Sequence, residues 1–259
     1  MKEIKKYLES RIGTYGFFFE DLKSGFIYGY NESVEITAAG CMKLPIAVSL
    51  IKAVENKKID FLDKINISVE DKVYGTGIIH EFNEREYTVF ELLVAMLIQS
   101  DNTAANKIIN IITMEEINKN LKEMGLNNTI LKRKTTDERK DKNDIENITS
   151  AFDLSMIWKH LHNKTYLNDE NSQMLIDILT RQQIKNKLAL YIPDDLKYEI
   201  SSKTGDKNGV ENDTELITLP KGDFTCTILS MGIPNSVYGT VTLAKCGKMI
   251  WDNINNNWH

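Results

Sequence analysis

Ile4 and Leu8 stand four apart in an otherwise polar opening, a spacing that predicts a short amphipathic helix over Met1 to Ser10. Two β-rich runs follow, Tyr15-Gly16-Phe17-Phe18-Phe19 and Phe26-Ile27-Tyr28, on either side of the turn signal Lys23-Ser24-Gly25. Together they predict a β-hairpin. Apolar residues return at helical spacing from about Gly40 to Lys57, and Pro45 is tolerated there because it falls near the helix start. Thr88 and Glu91 form a capping box, in which the threonine accepts from a backbone N–H while the glutamate reaches back. It opens FELLVAMLIQ, apolar on most faces and so expected to be buried. A further helix is expected from about Thr103, carrying Ala104, Ile108, Ile109 and Ile112.

The periodicity stops between Lys132 and Asn147. KRKTTDERKDKNDIEN is charged throughout and predicts a long solvated loop. Helices resume at Ser150-Ala151-Phe152-Asp153-Leu154 and near Asn168. Past Leu190 the pattern becomes that of strands, over Tyr198 to Lys203, Glu215 to Leu219 and Phe224 to Gly232, before a last helix from about Ser236 to Ile254. Three late strands need partners, and the early hairpin supplies them. The expectation is an α/β (α+β) fold: a five-stranded antiparallel sheet, terminal helices against it, and an inserted all-helical lobe. Residues 1–60 and 195–259 would form the sheet lobe and residues 61–194 the helical lobe. One domain results, with a site in the cleft between the lobes.

Composition narrows the partners. The chain has 259 residues, 42% hydrophobic and 27% charged, enough for a large core in an ordinary globular protein. A net charge of -5 argues against nucleic acid or an anionic membrane as the main partner. No apolar run is long enough to span a bilayer. MKEIKKYLESRIG lacks the apolar stretch of a secretory signal, so a cytoplasmic location is expected, or secretion if a signal has been removed. Cys41, Cys226 and Cys246 form no close pair and read as reduced thiols. His80, His160, His162 and His259 are scattered, and His160-x-His162 comes without CxxC or HExxH. No metal or cofactor is expected, and the chain reads as a monomer.

Three short stretches carry the candidate chemistry: Ala38-Ala39-Gly40-Cys41-Met42-Lys43, then Ser100-Asp101-Asn102, then Lys203-Thr204-Gly205. In this order and at these separations the chain resembles the penicillin-recognising serine hydrolases, the class A β-lactamases and DD-peptidases or penicillin-binding proteins. Their signature is S-x-x-K, S-D-N and K-T-G. The likeness runs nearly end to end, through LKSGFIYGYN, KLPI, SDNTAAN, TSAFDL and KTGDKNGVEND. It implies the β-lactamase/DD-peptidase fold and hydrolysis of amide bonds in β-lactams or D-alanyl peptides, with no cofactor.

The residues suit that chemistry. A serine hydroxyl is a poor nucleophile until a base takes its proton, and a buried lysine near other cations can be that base. Lys43 stands one helical turn from position 40 and would hold this role. Ser100 would relay a proton to a leaving nitrogen, and Asn102 would bond a substrate amide. Lys203 and Thr204 would receive a substrate carboxylate, and Gly205 would keep the strand edge open for an extended ligand. By the resemblance, the backbone N–H groups of Gly40 and Asp206 would form the oxyanion hole.

The pattern breaks in three places. The nucleophile position holds Gly40, which offers nothing to acylate. Cys41 is the nearest thiol, but one helical step of about 100° turns it off the Lys43 side. No E-x-x-L-N string occurs in the polar loop, where Asp137, Glu138, Asp141 and Glu146 are the carboxylates. The basic residue often found after K-T-G is missing, and Glu211 falls in that neighbourhood. The chain is therefore expected to be an inactive, or nearly inactive, member of the family. Two other readings fit the same residues: a non-catalytic module binding β-lactams or peptidoglycan fragments, and a hydrolase using Cys41.

Overall fold

The computed structural model describes residues 1–135, 145–193 and 198–258. Helix α1 (Lys2–Glu9) buries Ile4 and Leu8 and leads to strands β1 (Thr14–Asp21) and β2 (Ile27–Tyr30), paired as the expected hairpin. A short strand β3 (Ile36–Thr37) precedes a 3-10 turn over Ala39–Met42, which runs into α2 (Lys43–Glu55). Next come β4 (Lys64–Ile67), β5 (Arg85–Thr88), α3 (Val89–Ile98), α4 (Asn102–Ile112) and α5 (Met114–Glu123). Beyond the polar loop lie β6 (Ile148–Thr149), α6 (Ala151–Asn163), α7 (Asp169–Thr180) and a 3-10 turn over Leu188–Tyr191. The chain closes with β7 (Glu199–Lys207), β8 (Val210–Leu219), β9 (Gly222–Met231) and α8 (Ser236–Asn257).

The five long strands form one antiparallel sheet in the order β2-β1-β9-β8-β7, so β7 is an edge. Because strand side chains alternate between faces, β1 feeds two cores. Phe17 and Phe19 join Phe224, Ile228, Leu243 and Ile250 under α1 and α8. Phe18 joins Leu92, Leu93, Ile157 and Trp158 in the helical core on the other face. The indole of Trp158 donates to Thr214 Oγ1 at 2.8 Å, so its one polar atom is satisfied inside that core.

Three expectations change. The middle of the chain is not all helical: β4 pairs with β5 and β3 with β6 in two small ribbons. The helix expected from Gly40 begins as the 3-10 turn and becomes α-helical only at Lys43. The last strands are longer than their apolar pattern, since β7 runs through Lys203-Thr204-Gly205 to Lys207 and β8 starts at Val210. The polar run Glu211-Asn212-Asp213-Thr214-Glu215 is buried strand, and Gly209 turns the hairpin at φ 76°.

Candidate active site

Lys43 opens α2, and its ammonium is buried. It donates to Ser100 O at 2.6 Å, Ser100 Oγ at 3.1 Å and Asn102 Oδ1 at 2.7 Å. Ser100 lies in the corner between α3 and α4, where its backbone takes φ 54°, a left-handed conformation of the kind that stores strain at functional sites. Asp101 builds the corner. Its carboxylate caps α4 through Ala104 N at 2.9 Å and accepts from Ile78 N and Ile79 N at 2.7 and 2.8 Å. The loop carrying Tyr74, Gly75 and Thr76 is thereby fastened over the site, and Thr76 Oγ1 donates to Ser100 O at 2.8 Å.

Lys203 arrives from β7 on the other side of Ser100, donating to Ser100 Oγ at 3.1 Å and to Thr204 O at 2.8 Å. One hydroxyl thus stands between two buried ammonium groups. Burial, then the neighbouring Lys203 charge, lowers the Lys43 pKa to about 7. Burial first, with Lys187 among the charges that add to it, lowers Lys203 to about 8. Thr204 Oγ1 is buried without a hydrogen-bond partner among the described residues.

The two glycines of the site interlock. A Cβ on Gly205 would lie 2.7 Å from the backbone nitrogens of both Gly40 and Cys41. The K-T-G glycine therefore lets β7 lie against the 3-10 turn, a closer constraint than the open strand edge expected of it. A Cβ on Gly40 would in turn lie 2.9 Å from Thr204 O and 3.2 Å from both Gly205 Cα and Ser100 Oγ. The backbone of β7 therefore crowds the position where the family signature has its serine.

Cys41 does not face this network. Its thiol is buried, donates to Lys203 O at 3.2 Å, and burial pushes its pKa up to about 12. Glu211 is also away from the cleft. It is buried, does not line the cavity and is paired with Lys187 at 2.8 Å.

A cavity of about 500 Å³ brings Gly40, Lys43, Ser100, Asn102 and Asp206 to one surface. Lys203, Thr204 and Gly205 stand behind that surface. The motifs gave no hint of the rest of the wall, from the Tyr74-Gly75-Thr76 loop, Arg133, Glu146 and Lys207. Glu146 is held by Arg133 Nη2 at 3.3 Å and by the Lys207 ammonium. Asp137, Glu138 and Asp141 lie outside the described residues. Among the described residues no group of His, Cys, Asp or Glu side chains is placed to hold a metal. His160 bonds Thr165 and the Met124 carbonyl, and His162 pairs with Asp223.

This arrangement has relatives. Residues 1–254 match the model of the Beta-lactamase enzyme family. The chain belongs to that family. Beta-lactamase SME-1 of Serratia marcescens is 30% identical over 108 residues, 42% of this chain and 37% of that protein. D-alanyl-D-alanine carboxypeptidase DacF of Bacillus subtilis is 27% identical over 143 residues, 52% of this chain and 35% of that one. The matched stretches thus span little more than a third of each curated relative. A β-lactamase structure from Sphaerobacter thermophilus superposes with TM-score 0.92 at 22% identity, covering 98% of this chain and 97% of that one. PBP-A superposes with TM-score 0.90 at 23% identity over 98% and 95%. A PBP-A variant solved as an acyl-enzyme complex with penicillin G gives TM-score 0.89 at 23% identity, over 98% and 95%. The β-lactamase fold, with its five-stranded sheet and surrounding helices, is common to all three structures and this family member. No described helix is long and apolar enough to cross a membrane.

Proposed function

We propose that the cleft is a class A β-lactamase-like recognition site that binds β-lactams or D-alanyl peptides reversibly, with negligible hydrolysis. The observation that carries this reading is Gly40: the base, the relay serine and the second lysine stand assembled around a position with no side chain. Lys43, Ser100 and Lys203 supply positive charge and donors. Asn102 Nδ2 is the candidate donor to a ligand amide carbonyl, its Oδ1 being engaged by Lys43 and Thr76. The Lys203 ammonium at Ser100 Oγ is the candidate for a ligand carboxylate, with the buried Thr204 hydroxyl behind it. The N–H groups of Gly40 and Asp206 are the candidate donors to a ligand carbonyl oxygen.

Loss of a nucleophilic serine costs ~10⁶ in kcat where it has been measured in a protease, which leaves only weak residual catalysis. Cys41 is a poor substitute, because its buried thiol points at the Lys203 carbonyl and stays protonated at neutral pH. The division into a sheet lobe (1–60, 195–259) and a helical lobe (61–194) belongs to the same reading. Calorimetric titration with penicillin G and with an acyl-D-alanyl-D-alanine peptide tests it. Saturable binding that weakens about tenfold or more in Lys203→Met is expected, since a hydrogen bond to a charged group contributes ~1.5–3 kcal/mol. Absence of binding by either ligand would refute it.

A further inference from the structure

Four buried side-chain oxygens of β7 and β8 have no hydrogen-bond partner among the described residues: Ser202 Oγ, Thr204 Oγ1, Asp213 Oδ1 and Glu215 Oε1. They form one block. Ser202 is directly opposite Glu215 and Thr204 directly opposite Asp213, and residues so paired project to the same face of a sheet. Within the block the Glu215 carboxyl reaches the Asp213 carboxyl. Two ionised carboxylates are both acceptors, so this contact is a hydrogen bond only when one of them carries a proton.

The 3-10 turn over Leu188–Tyr191 hangs from this pair. Leu188 N donates to Asp213 Oδ2 at 3.1 Å, and the Ala189 backbone N–H donates to Glu215. From the far side α8 presses on the turn, where a Cβ on Gly247 would overlap the Leu188 carbonyl. The gap beside Glu215, walled by Leu188, Ile192, Cys226 and Trp251, has no room for a water molecule. Few charges reach the pair. Before the turn stand Lys185 and Lys187, the latter already bonded to Glu211 of β8 at 2.8 Å and near Asp206 of β7 at 3.7 Å. Lys203 of β7 is committed to Ser100 and Thr204 O. The neighbouring thiols are Cys41 on the turn into α2, Cys226 on β9 and Cys246 on α8, and burial holds all three protonated.

We propose that Asp213 and Glu215 share a proton at neutral pH and form a pH-operated latch on the Leu188–Tyr191 turn, closed while the proton is held and open once it is lost. The latch is independent of what the cleft binds. Burial, which outweighs the Lys187 charge, raises the Asp213 pKa to about 7. Burial and then the Asp213 charge raise Glu215 well above the ordinary carboxylate range. A second charge beside the first needs water, which the dry gap does not hold. The sheet and the long α8 helix close the other sides, while Leu190 and Tyr191 of the turn are already exposed, so the turn is the wall that gives way. The sign follows from the ordinary values of 3.8 and 4.5. Above them the unfolded chain has released protons that the folded pair keeps, so the pair's contribution to stability is full at lower pH and is lost as pH rises through about 7.

Two measurements on the full chain test this: NMR of carboxyl-labelled aspartate and glutamate, and hydrogen exchange of the Leu188 and Ala189 amides corrected for the intrinsic rate at each pH. At least one of the two carboxyls should be protonated at pH 6, and protection of both amides should fall about tenfold or more between pH 6 and pH 9. Glu215→Gln supplies an amide that donates to Asp213 as the protonated acid does, so its turn should stay protected across the range. Lys43 and Lys203 also titrate here and are unchanged in that variant, so its loss of pH dependence assigns the effect to the pair. Asp213→Asn carries the same expectation and serves if Glu215→Gln does not fold; if neither folds, the parent measurements decide. Two ionised carboxyls at pH 6, equal protection at pH 6 and pH 9 in the parent, or a folded variant that keeps the parental pH dependence overturns the proposal.

Discussion

At position 40 the side chain is missing and the backbone of β7 comes close. Serine placed there must push against Thr204 O, a backbone atom of an edge strand held by its ladder. Gly40→Ser is expected to lose ~1–3 kcal/mol of stability, the usual cost of overpacking, in urea denaturation. The same variant should acquire a penicilloyl adduct that persists for hours. Glu146, a carboxylate of the cavity wall, is engaged by Arg133 and Lys207 and is a poor candidate to activate water. Rapid turnover of a chromogenic cephalosporin by Gly40→Ser would contradict this.

Lys43 makes a second prediction. Its folded pKa of about 7 lies below the ordinary 10.5, so folding favours the neutral amine. Above about 10.5 neither state carries the proton and nothing is lost. As pH falls toward 7 the unfolded chain gains a proton that the folded chain refuses, and stability drops. Lys43→Met should therefore be more stable relative to the parent at pH 7 than at pH 10.5; a difference independent of pH would refute the buried-amine account. Cys41, in turn, should resist iodoacetamide at pH 8 until the protein is unfolded, as read by mass.

At the scale of elements, legibility followed the source of each element's stability. The α3 helix was readable because its capping box and apolar run are local, and the structure has both halves of the box. Its neighbour α4 was readable from its apolar spacing, though the role of Asp101 was not, since two of its three backbone partners are more than twenty residues away. Asp101→Ala leaves three donors without their acceptor and should cost ~2–4 kcal/mol in thermal or urea unfolding, with loss of ligand binding as the Tyr74 loop detaches. The start of β8 was hidden because Glu211-Asn212-Asp213 reads as a loop. Only long-range partners, Lys187 and the backbone around Thr37 and Ala38, make it a buried strand. Gly205 was found by motif, but its packing role needed the turn beneath it. Gly205→Ala should lift β7 from the Gly40–Cys41 turn and destabilise the protein by ~1–3 kcal/mol.

Over the whole molecule, the two cores on either face of one sheet bring together three motifs separated by most of the chain. The fold was legible because its terminal strands and helices repeat simple periods and the motif order is specific. Lys187 was not legible: a single lysine in Lys185-Asn186-Lys187 looks like surface until α8 and the sheet enclose it. In the cleft that results, Lys43 and Lys203 flank one hydroxyl, and Arg133 and Lys207 stand on the wall paired with Glu146. In the proposed reading such a site holds an anionic ligand and, with glycine at position 40, has no side chain there to attack it. The most direct measurement is equilibrium dialysis of the unaltered protein against penicillin G at pH 7, followed by the mass of the protein and chemical analysis of the recovered ligand. Saturable one-to-one binding, an unchanged protein mass and intact penicillin are predicted. A penicilloyl adduct, stoichiometric hydrolysis of the bound ligand, or no binding at all would contradict the account.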